Sequence, residues 1–394
     1  MRITCVGGGP AGLYFAVLMK LRDPGHQVTV LERDAAGSTY GWGVTYWAGL
    51  LERCLAADRV SAQAIRASSV SWQQGVAHVG GEQVVRSSDE GFGIGRHRLL
   101  ELLAARAQEL GVRIEYRHEV RGREQLGPTD LVVAADGVNS VLRDARFGPT
   151  VTYGRNRYVW LGTPQVFTAF TFAFVKTSHG YLWCYGYPFD AGTSTCVIEC
   201  AEATWHGLEL DRLGEDELLA RLGAMFAEAL GGRPLLAGVG GARWQTFRTV
   251  TNQRWSDGKV VLLGDAAHTT HYSIGAGTSL ALEDALALAD ALGRPGLALP
   301  EALAAYERER RQALLATQSA ARYSARWYEE LTRYLELKPE QFFALLGQRH
   351  SPLLPHVPPQ LYYWANRAVE ESPGLRRLRG QIGRRVARTL HRRG

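Results

Sequence analysis

Near its start the chain spaces three glycines as Gly7-x-Gly9-x-x-Gly12, directly after the apolar run Ile3 to Val6 and just before the apolar stretch Leu13 to Leu21. A second strand-like run, His26 to Leu31, ends at Glu32, twenty residues beyond Gly12. A strand, turn, helix and strand packed into about thirty residues make a unit that binds a dinucleotide. Gly7 permits the tight turn, Gly9 lets the backbone approach a pyrophosphate, and Gly12 lets the helix pack closely on the strand. The helix N-terminus offers unpaired N–H groups and a positive dipole end to the phosphates. Glu32 is placed to accept hydrogen bonds from a ribose. A similar spacing, Gly91-Phe-Gly-Ile-Gly95, ends in Arg96 where the last glycine belongs, and reads as a turn.

Two further turns follow strand-like runs. Asp130 to Ala135 ends in Asp136-Gly137-Val138-Asn139-Ser140, and Lys259 to Leu263 ends in Gly264-Asp265-Ala266-Ala267-His268. The second is followed by a loop, Thr269 to Gly277, and a helix over Thr278 to Leu292. Arg96 to Gly111 has the apolar spacing of an amphipathic helix and leads to a short strand, Arg113 to Tyr116. Between residues 150 and 205 the pattern becomes aromatic and β-branched, which predicts an antiparallel sheet in a second domain. Helical signals resume over Gly214 to Leu230, and from Leu299 onward the chain reads as helical, with a break near Pro352 to Pro359.

A chain of 394 residues with 46% hydrophobic and 21% charged residues has the ordinary globular profile. At about 150 residues per domain it has room for two folding units. No apolar run approaches the roughly eighteen residues of a membrane span. The start lacks the basic head and long apolar body of a signal peptide, so a cytoplasmic protein is expected. Cys5, Cys54, Cys184, Cys196 and Cys200 contain no Cys-x-x-Cys pair and sit mostly among apolar neighbours. Buried reduced thiols are therefore expected, with no metal site and no disulfide framework. Eight arginines fall in the last nineteen residues, from Arg376 to Arg393, with no acid among them. Such a tail is either a solvated helix end or a docking surface for an acidic partner. It carries no interleaved aromatics, so nucleic-acid binding is not expected.

The three motifs, in this order, resemble those of single-component FAD-dependent aromatic hydroxylases of the para-hydroxybenzoate hydroxylase fold. Several stretches are most similar to one branch, the flavin domain of salicylyl-CoA and anthraniloyl-CoA hydroxylases. They are Tyr40-Gly-Trp-Gly-Val44, Val159-Trp-Leu-Gly-Thr163, Ala169 to Phe174, His271-Tyr-Ser-Ile-Gly-Ala-Gly277 and Ala321 to Trp327. The resemblance implies an α/β fold: a Rossmann-like FAD-binding domain interleaved with a mixed-sheet substrate domain, plus C-terminal helices. The implied segments are 1–69, 91–155 and 256–310 for FAD, 70–90 and 156–255 for substrate, and 311–394 for the helical region. Anthraniloyl-CoA relatives carry an additional reductase-like barrel for which this chain has no room, so ring hydroxylation without coupled reduction is expected.

The resemblance also implies roles. Gly7, Gly9, Ala11 and Gly12 would hold the FAD pyrophosphate, with Glu32 and Arg33 at the adenosine end. Arg96, or its neighbour Arg98, would reach the flavin chain. Asp136 would contribute near the pyrophosphate and Asp265 would bind the ribityl hydroxyls or pyrophosphate. Gly275, Ala276 and Gly277, leading into a helix N-terminus, would stabilise negative charge on the reduced flavin. NAD(P)H is expected as a transient co-substrate, because the chain has one nucleotide fingerprint. Dioxygen would add as a C4a-hydroperoxyflavin and transfer its terminal oxygen to an electron-rich ring, free or held as a CoA or carrier-protein thioester. A base near the substrate hydroxyl would help. His271 is the first candidate, followed by His179 and Tyr181 in the presumed substrate sheet. Trp183, Tyr185, Tyr187 and Phe172 either wall an aromatic site or pack a core. The rival readings are a hydroxylase or epoxidase of a free aromatic or indole, a reductase of the same fold, and a non-catalytic flavin-binding partner. Halogenation is not expected, because the Trp-x-Trp-x-Ile-Pro motif of flavin halogenases is absent.

Overall fold

The computed structural model describes residues 1–372, so the arginine-rich end lies outside the described residues. The chain divides into one unit over Met1–Glu307 and a second from Arg308 onward.

The first unit opens with β1 (Arg2–Val6), α1 (Pro10–Arg22) and β2 (Gln27–Glu32). The chain then makes an excursion through β3 (Gly43–Trp47), α2 (Ala48–Ala57), α3 (Arg59–Ala67) and the hairpin β4 (Val70–Val79) and β5 (Glu82–Gly95). It returns through α4 (Arg96–Glu109), β6 (Arg113–Tyr116) and β7 (Leu131–Ala134). A second excursion runs through β8 (Pro149–Thr163), β9 (Phe170–Thr177), β10 (Gly180–Pro188), β11 (Ser194–Ala201), α5 (Glu202–Gly207), α6 (Glu215–Met225) and β12 (Gln245–Asn252). The strands β13 (Ser256–Asp257) and β14 (Val260–Leu262), α7 (Gly277–Leu292) and the opening turns of α8 (Leu299–Glu329) complete the unit.

The two excursions separate the strands into two interleaved sheets. The six-stranded sheet has the order β13-β14-β7-β1-β2-β6 and is parallel except for β13. Its inner strands β7 and β14 are buried throughout, as expected for parallel strands covered on both faces. Helix α1 is buried from Ala11 to Lys20, and the Lys20 ammonium is satisfied by donating to the carbonyls of Pro24 and His26.

The eight-stranded sheet has the order β12-β8-β11-β10-β9-β4-β5-β3 and is antiparallel except where β4 meets β9. Period-two alternation sorts its side chains onto two faces. One face carries Leu161, Leu182, Cys184, Cys196, Ile198 and Cys200, packed against Leu208, Leu218, Leu222 and Phe226 from the region of α5 and α6. Each such fully buried large side chain contributes about 1.5–3 kcal/mol. All five cysteines are buried and unbridged, and Cys196 and Cys200 share this apolar layer. The opposite face carries Phe172, Trp183, Tyr185, Tyr187 and Glu199.

Two expectations need correction. Gly91 to Gly95 is the end of strand β5, paired with β3 and β4, not a turn. The glycines are there for close approach: a Cβ at Gly93 would stand 2.1 Å from the Pro188 carbonyl oxygen, and one at Gly91 would enter the Trp72 ring. The excursions are also longer than expected. Strand β3 joins the large sheet, so the first crossing falls before residue 43 rather than at 70, and β8 already begins at Pro149 rather than at 156. The joint is made by two of the quoted stretches, because Gly41 leaves room for the Trp160 ring and Gly162 for the Trp42 ring.

The second unit contains the remainder of α8, α9 (Pro339–Gly347) and α10 (Pro359–Glu371). Trp327 stacks on Tyr334 with ring centroids 4.9 Å apart and tilts against Phe342 at 5.5 Å. The Arg333 guanidinium donates to the carbonyls of Pro355 and Val357, tying the break near the prolines to this core.

A Gly93→Ala substitution is expected to destabilise the protein by about 1–3 kcal/mol through overpacking. Gly223→Ala, inside α6 with nothing within 4 Å of the added methyl, should instead stabilise by about 0.5–1 kcal/mol. Denaturant midpoints of the two variants measure both signs.

Candidate active site

The β1–α1 turn is formed by backbone packed on backbone. Gly7 adopts φ +108°, and a Cβ there would lie 2.3 Å from the Ala135 carbonyl oxygen at the end of β7. A Cβ on Gly12 would lie 2.2 Å from the Gly7 carbonyl oxygen, so helix and turn touch directly. Gly9, at the N-terminus of α1, faces open space with nothing within 4 Å, and no side chain caps the helix. The Glu32 carboxylate braces the turn: Gly8 N–H donates to Oε2 at 2.6 Å and Asp34 N–H to Oε1 at 2.9 Å. Each oxygen keeps a lone pair for an incoming hydroxyl. Ala11 is buried against the Gly264 backbone, whereas Arg33 is exposed beside Asp34.

Arg96 begins α4, and its guanidinium donates to Tyr40 O at 3.2 Å and to Thr39 Oγ1. Burial lowers its pKa, while the charges of Asp265 and Glu32 raise it, so three of the expected residues share one electrostatic neighbourhood. Arg98 turns away to Ser68 and Glu101, so Arg96 is the one of the two that lies near Asp265 and Glu32. Asp265 presents its side chain to solvent but is otherwise crowded by protein. That crowding raises its carboxyl pKa, opposed by the charges of His268, Arg96 and Arg143. No hydrogen bond among the described residues engages the Asp265 carboxylate.

The other two motifs are held from behind. Asp136 Oδ2 accepts from the N–H groups of Val141 at 2.8 Å and Leu142 at 3.4 Å, so its carboxylate orders its own turn. Arg143 donates to Val138 O at 2.6 Å and to Ala266 O at 3.2 Å, joining the second motif to the third. Asn252 Nδ2 donates to Ala267 O at 2.6 Å. The fully buried Asp284 of α7 accepts from Gly264 N–H at 3.2 Å and lies 2.8 Å from His268 Nε2. Trp255 stacks on the same imidazole at 5.0 Å.

Beyond His268 the chain forms a short turn, Tyr272–Ile274, with His271 as its cap. His271 Nδ1 lies 2.8 Å from Ser273 Oγ and accepts from Ser273 N–H at 3.4 Å, so this nitrogen shapes the loop. Gly275 has φ +63°, and Thr45 Oγ1 donates to its carbonyl at 3.3 Å. Ala276 caps α7, and Gly277 opens onto empty space at that helix N-terminus.

The aromatic face of the large sheet reaches this loop. The Tyr272 ring lies 4.6 Å from Tyr158 and 6.0 Å from Tyr185, and Phe247 packs at 4.9 Å from His271. At the centre is Glu199, fully buried on β11 and not foreseen from sequence. It accepts from Tyr272 Oη at 2.5 Å, Tyr185 Oη at 2.8 Å and Asn156 Nδ2 at 2.7 Å. Burial raises its carboxyl above the usual glutamate range and these donors pull it partly back. His179, by contrast, lies in the exposed β9–β10 turn with its ring against Gly207, and no contact brings it to His271. Tyr181 is half-buried at the start of β10, opposite Lys176.

An extended dinucleotide fits these residues. The open side of Gly9 beneath a helix N-terminus could take a pyrophosphate, the uncommitted Asp265 carboxylate could take hydroxyl donors, and the open Gly277 end of α7 could take a developing negative charge. Fold and site thus define a flavin-binding oxidoreductase with a separate aromatic-lined sheet. The family model for the FAD binding domain matches residues 82–321. Salicyloyl-CoA 5-hydroxylase of Streptomyces sp is 36% identical over 87% of this chain and 68% of its own length. The 3-hydroxy-4-methyl-anthranilyl-[aryl-carrier protein] 5-monooxygenase of Streptosporangium sibiricum is 37% identical over 84% of this chain and 90% of its own. Among solved structures, a variant of 2-methyl-3-hydroxypyridine-5-carboxylic acid oxygenase shares the fold with a TM-score of 0.70 at 22% identity, covering 84% of this chain and 92% of that one. The chain belongs to the FAD-binding-domain family and is an FAD-dependent aromatic monooxygenase. NAD(P)H is the usual electron donor of this class. Among the described residues, no helix is long and apolar enough to cross a membrane.

The two glycine environments separate folding from cofactor binding. Gly9→Ala should leave the unfolding midpoint unchanged and weaken FAD binding at least about tenfold, or about 1.4 kcal/mol. Gly12→Ala should instead destabilise the fold by about 1–3 kcal/mol. Flavin fluorescence titration and thermal unfolding, run on both variants, distinguish the two effects.

Proposed function

We propose that this monooxygenase uses NAD(P)H and dioxygen to hydroxylate an electron-rich aromatic ring presented as a thioester on CoA or a carrier protein. The observation that carries this reading is the similarity, along most of the chain, to two hydroxylases whose names specify CoA-linked and carrier-linked aromatic acyl groups. When bound, FAD supplies the oxidising chemistry: electrons from the nicotinamide and one oxygen atom delivered to the ring.

The chain's own residues do the rest. Gly7, Gly9 and Gly12 with the α1 N-terminus hold the pyrophosphate, and Glu32 holds the adenosine ribose. Asp265 and Arg96 hold the ribityl and phosphate region, braced by Asp136 through its turn. The N-terminus of α7 at Gly275 to Gly277 stabilises negative charge on the isoalloxazine. Tyr158, Tyr185, Tyr272 and Phe247 orient the substrate ring and keep water from it. A ring activated by an ionised hydroxyl or an amine is attacked most readily, so a proton acceptor belongs on this aromatic face.

The test is NAD(P)H oxidation and oxygen uptake by the FAD-loaded protein with salicylyl and anthraniloyl groups. Each is offered as free acid, CoA thioester and carrier-protein thioester. Stimulation by a thioester at least about tenfold above its free acid, with a product one oxygen atom heavier, is the expected result. Stimulation by the free acids alone would remove the thioester from the reading, and FAD binding without substrate-stimulated oxidation would favour the non-catalytic alternative.

A further inference from the structure

We propose that Glu199 is the buried end of a proton relay that runs through the Tyr272 hydroxyl to the ring hydroxyl of the substrate. The inference deepens the aromatic-hydroxylase reading and rests on it. Glu199 and Asp284 are carboxylates with no exposed surface, and they are compensated differently. Asp284 lies against the His268 imidazole. Glu199 has no cation within ion-pair distance among the described residues, and its partners are neutral donors. Two phenols, Tyr272 and Tyr185, converge on Oε2, the Asn156 amide donates to Oε1, and the Trp183 indole donates to Tyr185 Oη at 3.1 Å.

Burying a carboxylate with no cation beside it costs several kcal/mol, which its three hydrogen bonds offset only in part. A carboxylate held by phenols is, however, suited to accepting a proton. The groups facing it are Trp183 and Tyr185 from β10, Asn156 and Tyr158 from β8, and Tyr272 from the loop. Arg248 from β12 and Asp265 act on Tyr158 with opposite signs, and Glu199 itself acts on Tyr158 and on Cys200. Tyr272 is the link outward. It is half-buried, sits between His271 and Tyr158, and belongs to the loop joining Asp265 to the N-terminus of α7.

The transfer balances without redox change. The substrate O–H bond breaks as its proton passes to Tyr272 Oη, while the Tyr272 proton passes to Glu199 Oε2. The products are a substrate phenolate, a neutral tyrosine and a neutral carboxyl. His271 is less suited to this part, because its Nδ1 accepts from Ser273 N–H, which leaves the proton of the neutral ring on Nε2. Tyr272 is then the residue that touches substrate, and Glu199 acts through it.

The test uses Glu199→Gln, which keeps the side-chain shape and cannot take the proton, and Tyr272→Phe, which breaks the link between Glu199 and the substrate. The first readout needs no substrate. In the FAD-loaded protein, the infrared carbonyl band of a protonated carboxyl should be present at low pH, disappear as the pH rises above the ordinary glutamate range, and be missing from Glu199→Gln. The second is the pH profile of kcat/KM with salicylyl-CoA. Above the pH at which that band disappears and below the pH at which the substrate ionises unaided, Glu199→Gln and Tyr272→Phe should lose about a hundredfold. They should rejoin the wild type at alkaline pH, where the substrate ionises unaided. A band that does not titrate, or a Glu199→Gln profile depressed equally at every pH, would overturn the relay. A titrating band in an enzyme that does not hydroxylate salicylyl-CoA would overturn the substrate reading alone and leave the proton-accepting role of Glu199 standing.

Discussion

The contact on which the rest depends is the meeting of three backbones at Gly7. The carbonyl at the end of β7, the β1–α1 turn and the first turn of α1 approach so closely that a methyl group on Gly7 or Gly12 would lie inside the contact distance of a carbonyl oxygen. This fixes α1 relative to β1, β2 and β7, and so fixes the direction in which its free N–H groups point. Glu32 adds a second constraint by tying the turn to the end of β2 through two backbone N–H groups. The turn and the start of α1 are therefore fixed by backbone contacts, and Gly9 is left open.

From that turn, order spreads through hydrogen bonds that engage main-chain atoms. Arg143, Asn252 and Asp284 each engage the Gly264 to Ala267 segment, so the third motif is held by side chains from a loop, a strand and a helix. This leaves Asp265 as the motif's outward carboxylate, with Arg96 as its nearby cation. The carboxylates differ in what they hold: Asp136 and Asp284 engage backbone N–H groups and an imidazole, whereas no hydrogen bond among the described residues engages Asp265. Arg96 tolerates its partial burial because Asp265 and Glu32 supply opposite charge.

The dinucleotide motif was legible because its physics is local. A turn that needs positive φ, a helix start and an acid at the next strand end all fall within one short stretch. The interleaving of the two sheets was not legible from periodicity, because it depends on which strands pair, and β3 pairs with β5 across forty-odd intervening residues. Gly91 to Gly95 illustrates the same limit: a glycine that makes room for Pro188, far away in sequence, looks locally like a turn former. Glu199 left a weak signal, as the lone charge in the apolar strand Ser194–Ala201. Alternation alone would have put it on the same face as Thr195 and Val197. That this face meets Tyr272 could come only from the tertiary fold. His179 fails for the converse reason, since membership of the right pair of strands says nothing about which end of the hairpin a residue occupies.

The stretches that resemble those of the thioester hydroxylases divide into two kinds, and the division bears on how substrate preference could be encoded. Tyr40 to Val44 and Val159 to Thr163 interlock, each glycine admitting the other's tryptophan, and Thr195 and Tyr187 hydrogen-bond Gly43 in the same joint. These residues set the angle between the loop before β3 and the large sheet, which is packing. His271 to Gly277 instead carries one side chain, Tyr272, into the aromatic face and one helix N-terminus to the cofactor side. A change of substrate that preserved the oxidising chemistry would leave the first kind untouched and alter the residues around Tyr272. With the proposed relay, the buried carboxylate behind Tyr272 would make proton handling, as well as shape, a determinant of which rings are accepted.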